Sequence, residues 1–172
     1  MKRLIRGVLV ITGLTSCASA APPLTAAALI PPLHTLAFYV GSWQCKGTFY
    51  PTKEEPVETK WEATITVEPE LDGAWLSVKM VGPGDSRSIE HKGFDVTTKR
   101  WVHLAVTRSG GWSLETSTGW TKGSEMVWVS ADPAEKSRAT FTKLSETSYS
   151  HVITRETDKG MEKDWDKFCT KM

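Results

Sequence analysis

From about residue 42 onward, apolar and polar residues alternate in short runs. Turn signals separate the runs at roughly 8–12-residue spacing, as in an all-β barrel or sandwich. Trp61, Ala63, Ile65 and Val67 alternate with Lys60, Glu62, Thr64 and Thr66. Side chains of a strand repeat every two residues, so this run has one apolar face and one wet face. Leu71-Asp72-Gly73 and Gly82-Pro83-Gly84-Asp85 read as turns on either side of a strand at 74–81. The same reading places strands at 41–50, 88–96, 101–108, 112–120, 125–130, 138–144, 149–156 and 161–170. A short helix is expected at 32–40, with Pro32 at its start. No run after residue 40 has the period of a long amphipathic helix. Tight turns between successive strands imply up-and-down antiparallel pairing, and closure removes exposed sheet edges. The expected fold is therefore all-β, a closed antiparallel barrel of about ten strands, a size that can hold one small ligand.

The N-terminus departs from this pattern. Lys2, Arg3 and Arg6 precede a short apolar stretch, Gly7 to Leu14, as in a secretory signal. The stretch is shorter than the ~20 residues that span a bilayer as a helix. Leu14-Thr15-Ser16-Cys17 resembles a bacterial lipoprotein box, which makes 1–16 the signal and Cys17 the lipidated residue. The alternative is cleavage after Ala20, in Ala18-Ser19-Ala20, and plain secretion. Residues 17–33, rich in Ala and Pro, read as a tether, and 34–172 as the barrel domain. The expected location is the bacterial cell envelope, with a membrane contact through the lipid on Cys17.

Charge sharpens this division. The 172-residue chain has 21 basic and 20 acidic residues, a net charge of +1. Without residues 1–16 there are 18 basic and 20 acidic residues, a net charge of −2. The folded part therefore lacks the basic surface of a nucleic-acid binder.

Several short motifs fall in order on the strand pattern. Gly41-Ser42-Trp43 opens the first strand and resembles the Gly-x-Trp entry of lipocalin and calycin barrels. With Phe38-Tyr39-Val40, Leu71-Asp72-Gly73-Ala74-Trp75-Leu76, Ser117-Thr118-Gly119-Trp120 and Val127-Trp128, residues 34–170 are similar to a group of bacterial lipocalin-like proteins of unknown function. That resemblance implies a barrel with an interior cavity, whose closed end the Trp plugs. Gly41-x-Trp43-x-Cys45-x-Gly47 with Tyr50-Pro51 also resembles the opening of nitrobindin-type haem-binding barrels. Those hold haem through a His on a late strand, a role that would fall here to His151. Cys45 and Phe49 stand where that family tends to have glycine.

Candidate chemistry is sparse. With Cys17 lipidated, Cys45 and Cys169 remain on the first and last strands, which meet when the sheet closes. An oxidising compartment permits their disulfide, and two buried free thiols are the alternative. His91 and His103 fall on neighbouring strands, and both phases can point inward. His151 shares a face with Tyr149 and Ile153. Glu162, Asp164 and Asp166 form one wet face of the last strand. No catalytic, phosphate-cradling or zinc-binding motif is present, so no catalysis is expected. The eight tryptophans are spread over most of the strands. Trp61, Trp75, Trp101, Trp112, Trp128, Tyr149 and His151 are the candidate ligand-binding residues, with packing of the barrel floor as the competing role of the tryptophans. The expectation is a barrel that binds a small, mainly apolar molecule. A haem or metal protein using His151, and an envelope protein acting through protein contacts, are the alternatives.

Overall fold

The computed structural model describes residues 29–172; the expected signal, Cys17 and most of the tether lie outside them. Eleven strands form one antiparallel sheet: β1 Gly41–Phe49, β2 Thr59–Glu70, β3 Trp75–Val81, β4 Arg87–Asp95, β5 Arg100–Thr107, β6 Trp112–Ser117, β7 Trp120–Thr121, β8 Glu125–Ser130, β9 Ser137–Ser145, β10 Ser148–Thr157 and β11 Gly160–Lys171. Neighbours in sequence pair in order, and β11 pairs with β1. Glu115 and Thr116 of β6 pair with Ser130 and Val129 of β8, which closes a ten-stranded barrel. The two-residue β7 lies outside the ring, hydrogen-bonded to β8.

The alternation in β2 is realised as written. Trp61, Ala63, Ile65 and Val67 are buried, and Lys60, Glu62 and Glu68 are exposed. The run 112–120, by contrast, is not one strand. Gly119 takes φ +106°, and its N–H is bonded at 3.1 Å to the Ser117 hydroxyl oxygen. This turn ends β6 and gives Trp120 to β7. Only glycine adopts such a backbone without strain.

One end of the barrel is sealed by a 3-10 helix, Leu33–Tyr39, whose Leu33, Leu36, Phe38 and Tyr39 are buried. The Trp43 indole N–H donates to the Tyr39 carbonyl at 2.8 Å. Tyr39, Trp43, Phe141 and Tyr149 then stack as a floor, with Tyr149 edge-on to Trp43 at 4.9 Å between centroids and to Tyr39 at 5.2 Å. Such aromatic pairs add about 0.5–1.5 kcal/mol each beyond the area they bury. The expected tether reaches this plug. Leu29 is buried, and Ile30 N–H donates to the Gly73 carbonyl at 3.1 Å. Residues 29–33 thus belong to the barrel rather than to a free linker, because Leu29 and Leu33 cover its apolar floor.

Cys45 and Cys169 are directly opposite in the β1–β11 register, and they are joined by a disulfide. Both are fully buried just above the aromatic floor, with the Tyr149 hydroxyl 3.7 Å from the Cys45 sulfur.

Candidate functional site: a charged chamber under an aromatic mouth

Above the disulfide the barrel holds a cavity of about 500 Å³. Phe49, Trp61, Met80, Ile153 and Trp165 give it apolar walls, and Glu90, His103, Glu115, His151 and Lys167 give it charged and polar ones. Trp61 meets Trp165 edge-on at 6.2 Å and lies tilted against Phe49 at 5.7 Å.

The charged wall comes from β4, β5, β6 and β11. Glu90 stands opposite Val78 and Ala105, and His103 opposite Lys92 and Glu115. The His103 ring bridges two carboxylates, with Nδ1 2.8 Å from Glu115 Oε2 and Nε2 3.0 Å from Glu90 Oε2. Glu90 Oε2 also accepts from Lys92 Nζ at 3.1 Å. Both ring contacts together require a proton on each nitrogen, or one on a carboxyl group. Burial by itself would push the Glu90 carboxyl up. The charges of Lys92, Lys167 and His103 and the His103 hydrogen bond outweigh it and hold Glu90 well below the usual carboxylate range.

His151 and Lys167 face each other across β10 and β11. Burial lowers both from their ordinary values, and the neighbouring Lys167 and Lys92 charges push His151 down further. The His151 ring lies edge-on to Trp165 at 5.2 Å. Its Nε2 is buried with no hydrogen-bond partner, as are Trp61 Nε1 and Ser88 Oγ, all on residues of the cavity wall.

A buried neutral histidine has a measurable cost in acid. The unfolded chain takes up a proton at His151 near pH 6.5, and the folded chain does so only well below that. Stability is therefore expected to fall as pH drops through about 6.5 towards the folded value, by up to about 1.4 kcal/mol per pH unit. The groups that face His151 are Lys167, Lys92, Glu90 and His103. Urea denaturation between pH 7 and 5 should show this slope in the wild type. A flatter profile is expected in His151→Gln.

The candidate ligand residues are not all brought together. Trp61 and His151 line the cavity. Tyr149 lies in the floor below it. Trp101 is buried against Phe94, edge-on at 5.5 Å, and Trp128 meets His103 at 5.5 Å from outside the chamber. Trp75 covers Gly93 on the neighbouring strand, where a Cβ would come within 2.5 Å of its ring. Trp112 is 71 % exposed, because the β6 register turns it outward beside Val106. Of the pair His91 and His103, only His103 points in. His91 is opposite Leu104, on the outer face, with Nδ1 2.9 Å from Glu70 Oε2.

Glu90, Lys92, Glu115 and Lys167 were not among the residues singled out in the sequence. Ile89 made the opposite phase of β4 look like the inner one. Ile89 and Val106, directly paired, are instead 47 % and 43 % exposed on the outer surface. The available signal was the neighbour: Val78 is fully buried, and the register places Glu90 beside it. Among the described residues, no group of three His, Cys, Asp or Glu is arranged to hold a metal ion.

No family model matches the chain, and no curated protein matches it. Among solved structures, the crystal structure of Rv2717c from M. tuberculosis superposes with a TM-score of 0.62 at 14 % identity, covering 84 % of this chain and 99 % of that one. At this identity the likeness concerns the barrel fold.

Proposed function

We propose that this barrel binds one small amphipathic organic molecule in its cavity and carries out no chemistry on it. The observation that supports the reading is a chamber of about 500 Å³ with an aromatic mouth and a polar interior wall. Ligand sites of this kind combine apolar walls with a few placed polar groups that fix orientation. The apolar body of the ligand packs against Trp61, Trp165, Met80 and Ile153, and its polar end points at the charged wall. Beside the mainly apolar walls expected from the strand pattern, the chamber carries the charged residues Glu90, Glu115 and Lys167. In this reading the protein is exported and held at a membrane surface through a lipid on Cys17.

Ala105 lines the cavity and carries little side chain of its own, so it offers a way to fill the space. Titration with decanoate, retinol and a steroid should quench or shift tryptophan emission saturably for at least one of them, since Trp61 and Trp165 face the ligand. Ala105→Phe is expected to weaken that binding at least about tenfold, while the far-ultraviolet circular dichroism stays that of the wild type. Unchanged affinity in a folded Ala105→Phe would place the ligand elsewhere and refute the reading.

One observation favours haem as a second reading: His151 Nε2 is buried, unbonded and on the cavity wall. His151 would then be the residue that holds the iron. The rest of the chamber fits this group poorly, since Glu90, His103, Glu115 and Lys167 occupy wall that a porphyrin face would need apolar. A Soret band after haem addition that is lost in His151→Gln would support haem. Its absence in the wild type would remove this reading.

A further inference from the structure

The chamber contains a positive charge and several donors that the protein does not use. His151, Lys167, Gly47 and Trp61 form one continuous cross-strand row over β10, β11, β1 and β2. Lys167 is only 4 % exposed, yet its ammonium makes no hydrogen bond or ion pair with any described residue; it lies over the Trp165 ring, 5.4 Å from the centroid. Glu90 lies near enough for Lys167 to feel its charge, but Glu90 Oε2 is already taken by Lys92 and His103. Burying an ammonium without a hydrogen-bonded partner is costly, so a group in this state is poised for an anion.

Its neighbours in the row offer donors as well. A Cβ at Gly47 would come within 2.4 Å of Trp61 Cε2, so the indole leans over the glycine towards Lys167. Nε1 is bonded to Cε2 and is buried without a hydrogen-bond partner, so the row carries an unused indole N–H one residue beyond Gly47. On the other side, neutral His151 has an unpartnered Nε2, which donates in one tautomer. An ammonium flanked by an indole N–H and an imidazole N–H matches the two oxygens of a carboxylate, which accepts only.

We infer that the ligand enters with a carboxylate end, seated between Lys167, His151 and the Trp61 indole. The inference rests on the binding reading above and narrows it to monocarboxylates with an apolar body. Glu90 and Glu115 do not oppose it, because Lys92 and His103 occupy them. The carboxylate supplies the acceptor that Lys167 lacks.

The test compares decanoate with 1-decanol and methyl decanoate, which share the apolar chain and lack the charge. On wild-type protein at pH 7, decanoate is expected to bind at least tenfold more tightly than either. In Lys167→Met its affinity should fall to that of decanol, with decanol itself unchanged. Trp61→Phe should reduce the decanoate preference about threefold. Equal binding of all three probes to the wild type would overturn the inference and leave the binding reading intact. A preference that survives in Lys167→Met would overturn it too. Failure of all three to bind would overturn this inference, and if retinol and the steroid fail as well the binding reading falls with it. If Lys167→Met does not fold, the wild-type comparison and Trp61→Phe still decide the matter.

Discussion

A Cys45→Ser, Cys169→Ser double variant should lose about 3–5 kcal/mol of unfolding free energy relative to the oxidised protein. The bond joins residues 124 apart and therefore closes a loop over most of the folded chain. Such a loop restricts the unfolded chain strongly. The folded barrel, in contrast, already holds the two cysteines opposite each other through the β1–β11 ladder. Urea denaturation should show the midpoint moving down by roughly 1–3 M, with m-values of the usual size for a small domain. Treating the wild type with a reductant under partly denaturing conditions should give the same shift. Equal midpoints for the oxidised and double-variant proteins would mean that the cross-link adds no net stability through the unfolded chain, contrary to this account.

Glu90→Gln should be the most damaging single change in the chamber, at about 3–5 kcal/mol. The carboxylate is the shared partner of Lys92 at 3.1 Å and His103 at 3.0 Å, both buried. An amide removes the negative charge that Lys92 and Lys167 face, while His103 keeps only Glu115 as an anionic partner. Glu62→Gln is the control. Its ion pair with Lys46, at 3.2 Å, is exposed on both sides, and such pairs contribute under about 1 kcal/mol. Thermal or urea denaturation of the two variants should separate them clearly. Similar small losses in both would show that the chamber charges are well hydrated.

Much of the barrel was legible because half-buried strands write themselves as alternation. Trp61 to Val67 on β2 is the clearest case. With Cys17 set aside as the lipidated residue, the pairing of Cys45 with Cys169 followed from strand order, since first and last strands of an up-and-down ring are neighbours. The plug was legible as a short helix after Pro32, although it is a 3-10 helix. The chamber was less legible. Its inner wall on β4 carries Ser88, Glu90 and Lys92, while the apolar Ile89 faces water. Alternation reports which residues are apolar, and here buried charges satisfy one another across β4, β5 and β6. Such cross-strand partners are set by register, which one strand does not reveal. The tryptophans misled for a related reason. Trp75 and Trp112 lie on outer faces, where covering Gly93 or extending an exposed stripe requires no cavity.

The central claim is that the chamber between Trp61, His151 and Lys167 is a ligand site. The most direct measurement is the nuclear magnetic resonance signal of the Trp61 indole N–H, which has no hydrogen-bond partner in the barrel. Titration with decanoate should shift this signal and the His151 ring signals saturably and together, leaving the indoles of Trp75 and Trp112 unmoved. Saturable shifts at Trp112 with a silent Trp61, or no shift at any indole across the titration, would contradict the account.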